Sequence, residues 1–291
     1  MVISNASLDE YRALRADLDA VIEHAQQVSK SVEGLVAEDP NTVYAEQIFV
    51  SIIVQCMSLR RLMPFSSGEA SGEVWDLPTC NSIARCIIDA HDAFLYIATA
   101  NPIERGFRVI LWELHAVNRS LKALKLLSSN HSKLRELVDR QSLLIDQLKN
   151  NSIFSRLNEE DKNKILKKCP QFYPESKDLY KSFGLNCSFR EIANLHLSQY
   201  IHALPFAVHT LMEFRAGSGE ALSQMSRSIQ YVLPFLSRVV KDFRVVVPFE
   251  TPGPDNHAKS AMDVWLGIYK DGLDRESSSA GKEAISQDGQ N

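Results

Sequence analysis

Residues 81–100 read NSIARCIIDAHDAFLYIATA, and this segment decides the fold class of the chain. Its apolar residues recur every three or four positions, which is the spacing of one face of an α-helix. The residues on this face are Ile83, Ile87, Ala90, Phe94 and Ile97. Because Pro102 follows and proline disrupts a helix interior, we predict a helix over residues 81–100 that packs this face against a core.

The same helical spacing extends over most of the chain. It predicts further helices over residues 7–35, 43–62, 102–127, 131–149, 158–168, 176–184, 188–204 and 219–244, the last with a kink at Pro234. Ser7–Glu10 and Ser188–Glu191 match the capping box, whose hydroxyl and carboxylate satisfy free amides at a helix start. Residues 245–249 form a strand-like run that is too short and isolated to imply a sheet.

These patterns predict an all-α fold, a multi-helix bundle of seven to nine helices. We place it in a single domain over residues 1–250, followed by a linker and a largely disordered tail over residues 251–291. Within that region, residues 262–269 form a short amphipathic segment. Residues 64–79 are rich in Ser, Gly and Pro and predict a loop. Residues 274–291 are polar and rich in Gly and Ser, a composition typical of disorder.

The composition is that of an ordinary soluble globular protein, with 45% hydrophobic and 23% charged residues among 291. The net charge of -4 does not favour nucleic acid or an anionic membrane, so such a contact needs a local basic patch. One mild candidate lies over residues 119–149, where the alternative is a solvated helix face of mixed charge. The most apolar windows, 43–59 and 83–100, fall short of a clean membrane span.

The five cysteines form no CxxC pair and are odd in number, which argues against a disulfide framework or a cysteine-rich zinc site. The N-terminus shows no basic region followed by an apolar stretch, so we expect no signal peptide. Together these observations predict a cytoplasmic protein without a membrane segment, a metal or another cofactor.

Arg85 and Asp89 are four residues apart inside the apolar segment 81–100, which places them for an i,i+4 ion pair. They either form a surface pair or line a cleft between helices. His91 lies six residues from Arg85, about 120° around the helix. It aligns instead with apolar residues and reads as a hydrogen-bonded core histidine, although Arg85 and His91 superficially form an Arg-x5-His motif.

Arg108 and His115 are seven residues apart and share a helical face, which Arg119 and Lys122 continue. A histidine near guanidinium groups has its cationic form disfavoured, so His115 is a candidate base. Arg108 is then a candidate phosphate ligand. The alternative is a basic stripe that faces solvent.

Asn194, Ser198 and His202 form a polar stripe on an apolar helix. The separations of His196, His202 and His209 do not match the compact spacing of zinc helices. A Ser198–His202 catalytic pair would lack a nucleophile elbow and an orienting acid. We therefore assign Ser198 and His202, with Arg85 and Asp89, to a substrate pocket.

The Arg85-x3-Asp89 helix, followed about a hundred residues later by Ser198-x3-His202, resembles an uncharacterised prokaryotic helical family allied to the HEPN superfamily. Arg108-x6-His115 fits the loose Arg-x4-6-His motif of that superfamily. Val109 stands after Arg108 where a polar residue is usual, so binding without cleavage remains open.

The resemblance implies a helical bundle that binds or cleaves RNA or a nucleotide, in a bacterial stress, toxin–antitoxin or anti-phage defence system. In an active ribonuclease His115 would activate a ribose 2′-hydroxyl, and Arg108 would stabilise the phosphorane without a metal. It also implies a homodimer, because such sites are assembled across two chains. The alternative is a non-enzymatic interaction or scaffold protein, in which the polar stripes fix helix packing.

Overall fold

The computed structural model describes residues 5–35, 39–64, 74–127, 132–174, 176–202 and 204–272. Within these ranges it contains helices and no strand, which confirms the all-α prediction. The helices are α1 Asn5–Ser31, α2 Pro40–Leu62, α3 Leu77–Ala98, α4 Pro102–Leu127, α5 Lys133–Lys149, α6 Ser152–Arg156, α7 Glu159–Lys168, α8 Ser176–Ser182, α9 Cys187–Ile201, α10 Pro205–Glu213, α11 Gly219–Val246 and α12 Asn256–Asp271.

The chain divides into two compact units, where the sequence predicted one domain. Unit 1 combines Met1–Phe94 with Tyr180–Asn291, and unit 2 is Leu95–Leu179. The division falls inside α3 and α8, so no break in helical periodicity marks it along the sequence.

Unit 1 is built around α11, whose 28 residues bury an apolar face against α1, α2 and α12. Phe243 of α11 stacks on Phe49 of α2 with the ring centroids 3.9 Å apart. α11 continues past Pro234 and includes Val245 and Val246. The strand-like run over residues 245–249 is therefore not a strand: its first two valines end α11, and Val245 is 80% exposed.

Unit 2 packs α4, α5, α6 and α7 around a core of its own. The buried residues of that core are Phe107, Leu111, Leu114, Leu144, Leu148, Phe154, Ile165 and Cys169. Asn158 caps α7, since its Oδ1 accepts from the Asp161 amide at 2.8 Å. This start agrees with the sequence prediction.

Two predicted helix starts differ from the structure. α1 begins at Asn5, so Ser7 lies inside the helix. The cap of α9 is Asn186, whose Oδ1 accepts from the Phe189 amide at 2.8 Å, and Ser188 lies in the first turn. An asparagine side chain forms the capping bond as well as serine does, so the local pattern allowed two starts two residues apart.

The linker predicted after residue 250 contains a packed helix. α12 buries Ala258, Ala261, Met262, Trp265 and Tyr269, and Asp255 caps it by accepting from the Ala258 amide. The amphipathic segment predicted over residues 262–269 is the second half of this helix, and polar residues separate the few apolar ones in its first half. The predicted disordered tail over residues 274–291, and most of the predicted 64–79 loop, lie outside the described residues.

One described helix, α2, is long and apolar enough to cross a membrane by length and composition. A core helix passes the same test, and α2 buries Ala45, Phe49, Ile52 and Cys56 within unit 1.

Candidate functional site

Arg85 and Asp89 form the predicted ion pair on α3, and Arg190 of α9 extends it. Arg190 Nη2 lies 3.3 Å from Asp89 Oδ1. Burial, together with the neighbouring positive charge of Arg190, lowers the pKa of Arg85 from its usual value. Asp89 is thus held between two guanidinium groups, with 54% of its side chain exposed. The pair lies at the edge of a larger network.

Asp92 is the centre of that network and is 3% exposed. Its Oδ2 accepts from Arg190 Nη2 at 2.8 Å and from the Tyr180 hydroxyl at 3.1 Å. Its Oδ1 accepts from His91 Nδ1 at 2.9 Å. His91 Nε2 in turn accepts from the Tyr269 hydroxyl at 3.2 Å, which identifies His91 as the hydrogen-bonded core histidine expected from its helical position.

The network stabilises the buried negative charge of Asp92. Burial alone would raise the pKa of Asp92, but hydrogen bonds and charge from His91 and Arg190 outweigh it and hold that pKa below its usual range. Burial lowers the pKa of His91, although the Asp92 hydrogen bond opposes this. A neutral His91 between a carboxylate and a tyrosine hydroxyl satisfies all three groups. The arrangement therefore fixes the packing of α3, α9 and α12.

Ser198 and His202 do not join this group through any hydrogen bond among the described residues. Ser198 Oγ bonds Asn194 Oδ1 at 3.4 Å, within the predicted stripe. His202 is the exposed C-cap of α9. In the part of the chain that the structure describes, no three His, Cys, Asp or Glu residues lie close enough to hold a metal. The four predicted pocket residues thus separate into a packed ion pair and a distal helix end.

Arg108 has partners of its own within unit 2. Its guanidinium donates to Glu104 at 2.6 Å and to the Tyr96 carbonyl at 3.0 Å, and it lies 4.9 Å from the Tyr96 ring centroid. His115 is seven residues along α4, about 10 Å of helical rise. The contacts with Glu104 and Tyr96 hold the Arg108 guanidinium in place.

His115 lies in a small basic pocket of unit 2. The pocket has a volume of about 200 Å³ and is lined by His115, Asn118, Arg119, Lys122, Lys168, Cys169 and Pro170. Three of these residues are cationic, and none of the described lining residues carries a carboxylate. We call this site the His115 pocket.

A hydrogen bond fixes the orientation of the His115 ring. Nδ1 lies 2.7 Å from the carbonyl oxygen of Cys169, and because a carbonyl only accepts, Nδ1 carries the hydrogen. In the neutral ring Nε2 then keeps its lone pair, which can accept a proton. The turn that supplies this carbonyl is strained, since Cys169 has φ 42° and closes α7 in the left-handed conformation.

Two parts of these sites were not predicted from the sequence. Arg190 was considered only within a capping box, although its position between Phe189 and Ala193 on the buried face of α9 could have identified a buried arginine. Cys169 and Lys168 are about fifty residues from His115, and no local pattern links them to α4.

Comparison with known proteins finds no matching family model, no similar curated protein and no similar solved structure. The candidate sites therefore depend on geometry alone.

Proposed function

We propose that this chain binds RNA at the His115 pocket and cleaves it without a metal, as a HEPN-like protein of a bacterial stress or defence system. The observation that carries the proposal is the hydrogen bond from His115 Nδ1 to the Cys169 carbonyl, beside three cations. This bond leaves Nε2 free to act as a base, and the three cations beside it would attract a phosphate. The chain thereby gains a local basic site despite its net charge of -4.

The size of the pocket supports a polymer over a free nucleotide. Pockets that enclose a whole drug-sized ligand measure about 300–1,000 Å³. At about 200 Å³ the His115 pocket suits one phosphate and its sugar, with the rest of the ligand outside. An RNA strand presents such a phosphate at every nucleotide.

The strained turn at Cys169 also supports a functional role. A residue with a side chain in the left-handed region costs about 1–3 kcal/mol, and such residues cluster at functional sites. Here the strain accompanies the carbonyl that selects the His115 tautomer. A glycine would relieve the strain without removing the carbonyl.

In the proposed cleavage reaction, each residue of the His115 pocket that takes part has one role. His115 Nε2 takes the proton of a ribose 2′-hydroxyl, whose oxygen attacks the adjacent phosphorus and expels the 5′-oxygen of the next nucleotide. The departing 5′-oxygen takes a proton from water, so the products are a 2′,3′-cyclic phosphate and a 5′-hydroxyl. Arg119, four residues after His115, would stabilise the phosphorane charge with Lys122 and Lys168. Arg108, held by Glu104, would support α4 from outside the pocket.

The test is cleavage of a labelled single-stranded RNA by the purified chain in excess EDTA. We expect products ending in a 2′,3′-cyclic phosphate and no cleavage of the DNA counterpart. His115→Ala should reduce the rate at least a hundredfold, the usual contribution of a general base, and Arg119→Ala should reduce both rate and binding. Arg156→Ala, the same charge change at an exposed position on α6, is the control. Absence of both RNA binding and cleavage would exclude this function.

A second function, a non-enzymatic interaction protein, is favoured by the network around Asp92. The Arg85–Asp89 stripe leads into buried hydrogen bonds that join three helices. Under this function Arg85→Ala lowers the melting temperature by several degrees, while His115→Ala changes no binding or activity.

A further inference from the structure

Unit 1 contains a cavity where the end of α11 meets the first part of α12. The cavity has a volume of about 440 Å³ and is lined by Lys241, Arg244, Pro254, Lys259, Met262, Asp263 and Leu266. Both helices belong to unit 1, and the chain passes from one to the other over residues 247–255. We call this cavity the α11–α12 pocket.

The α11–α12 pocket carries positive charge that the protein does not neutralise. Three cations and one carboxylate, Asp263, stand among its described lining residues, which leaves a net charge of +2. Lys241 and Lys259 are exposed and make no ion pair within the part of the chain that the structure describes. Cations that line one cavity repel one another, and an anion bound between them would relieve that repulsion.

Arg244 is held in place with donors to spare. Its Nε donates to the Thr251 hydroxyl oxygen at 3.2 Å, which ties the half-buried side chain to the segment before α12. Its two Nη nitrogens bond no other residue in the described ranges, so both remain available to a ligand. A guanidinium presents its donors in a planar fork that matches the oxygens of a phosphate.

The rest of the lining is apolar. Pro254, Met262 and Leu266 form it, and Met262 is only 6% exposed. Pockets for small organic ligands combine such apolar walls with a few polar groups and measure about 300–1,000 Å³. At about 440 Å³ the α11–α12 pocket has room for a ring-sized apolar group beside an anion. An inorganic ion alone would leave the apolar wall unused.

We propose that the α11–α12 pocket binds a phosphate monoester of a small apolar alcohol. A phosphate monoester carries a charge of about -1.5 to -2 at pH 7, which matches the net charge of +2 around the pocket. The phosphate contacts the three cations, and the apolar body packs on Met262 and Leu266. The proposal is independent of the proposed RNA chemistry, because the residues that carry it belong to unit 1 and the His115 pocket belongs to unit 2.

The experiment is isothermal titration calorimetry of the full chain with 1-naphthyl phosphate. We expect saturable binding with a Kd of about 1 mM or below, the range for a ligand of this size. Inorganic phosphate lacks the apolar body, and neutral 1-naphthalenemethanol lacks the charge. Each of these two compounds should therefore bind at least about tenfold more weakly.

Charge substitutions of opposite sign test the location of the phosphate. Lys241→Gln and Lys259→Gln should each weaken binding of 1-naphthyl phosphate about threefold, and Asp263→Asn should strengthen it by a similar factor. Lys270→Gln, the same charge change in the last turn of α12 and outside the pocket, is the matched control. All four positions are exposed, so circular dichroism should show unchanged helicity.

The same monoester chemistry occurs in soluble metabolites and in the headgroup of phosphatidic acid. Cosedimentation with phosphatidylcholine vesicles that contain phosphatidic acid separates the two sources. Cosedimentation that Lys241→Gln and Lys259→Gln reduce would support the pocket with a lipid as its ligand. Binding of 1-naphthyl phosphate without cosedimentation would support it with a soluble ester.

Three results would overturn the proposal. The first is a chain that does not bind 1-naphthyl phosphate, or binds inorganic phosphate or 1-naphthalenemethanol as tightly. The second is an affinity that the changes at Lys241, Lys259 and Asp263 leave unaltered. The third is binding that is lost in Arg119→Ala but not in the lysine variants, which would assign the probe to the His115 pocket.

Discussion

At the scale of single residues, Asp92 and Asp89 occupy contrasting environments on one helix. Both contact Arg190, but Asp92 is 3% exposed while the Asp89 side chain is 54% exposed. Removing one partner of a buried ion pair leaves an uncompensated charge and costs about 3–5 kcal/mol. An exposed pair contributes about 0–1 kcal/mol.

We therefore expect Asp92→Ala to lower the free energy of unfolding by about 3–5 kcal/mol. Asp89→Ala, its control on the same helix, should cost less than about 1 kcal/mol. Urea denaturation followed by circular dichroism measures both. Equal effects of the two substitutions would show that the network around Asp92 does not hold α3 and α9 together.

Residue spacing predicted part of this network. The i,i+4 rule placed Arg85 beside Asp89, and helical phase placed His91 in the core. Residue spacing did not connect Asp92 to Arg190, because the two residues are 98 positions apart and belong to different helices. Local spacing carries no information on which helices meet.

At the scale of helices, the sequence around the start of α9 contains two residues that can form its N-cap. The sequence offered Ser188, and the structure uses Asn186. The backbone N–H of Asn186 also donates to the Tyr269 carbonyl at 3.0 Å, so the start of α9 meets the end of α12. That long-range contact selects one cap from two that are locally acceptable.

Replacing Asn186 by Ala should cost about 1 kcal/mol, the usual value of a lost N-cap bond. Ser188→Ala, two residues into the helix, should have an effect within about 0.5 kcal/mol of zero. The difference between the urea midpoints of the two variants measures the difference in their stability. A larger loss for Ser188→Ala would restore the capping box as the start of α9.

Helical periodicity predicted the positions of most helices, because a helix that buries one face repeats its apolar residues every three or four positions. It indicated only residues 262–269 of α12, because the burial of this helix depends on packing against α1 and α11. It carries no sign of the division into two compact units, since both boundaries lie within helices. The sequence predicted the side of the His115 pocket that α4 forms, where His115, Arg119 and Lys122 follow helical spacing. It did not predict the other side, which Lys168, Cys169 and Pro170 form at the end of α7.

At the scale of the whole molecule, three buried or half-buried histidines make stability depend on pH. Burial lowers the pKa of His24, His91 and His196 in the folded chain, while the unfolded chain titrates near the ordinary value of about 6.5. Below that pH the unfolded chain takes up protons that the folded chain does not. The free energy of unfolding therefore falls as the pH drops.

Between pH 7.5 and 5.5 we expect each of these histidines to contribute a loss of at most about 1.4 kcal/mol. Urea denaturation at the two pH values measures the total. His196→Gln should reduce the pH dependence, because glutamine does not titrate. Stability that is equal at both pH values would contradict this assignment.

The most direct test of the central claim is nuclear magnetic resonance of the His115 imidazole nitrogens, observed with and without an RNA dinucleotide whose single linkage lacks the attacking 2′-hydroxyl. We predict that Nδ1 carries the hydrogen in the free chain, and that the Nε2 resonance shifts when RNA is added to the unmodified chain but not to Arg119→Ala. A hydrogen on Nε2 in the free chain, or an Nε2 resonance that RNA leaves unchanged, would contradict the account.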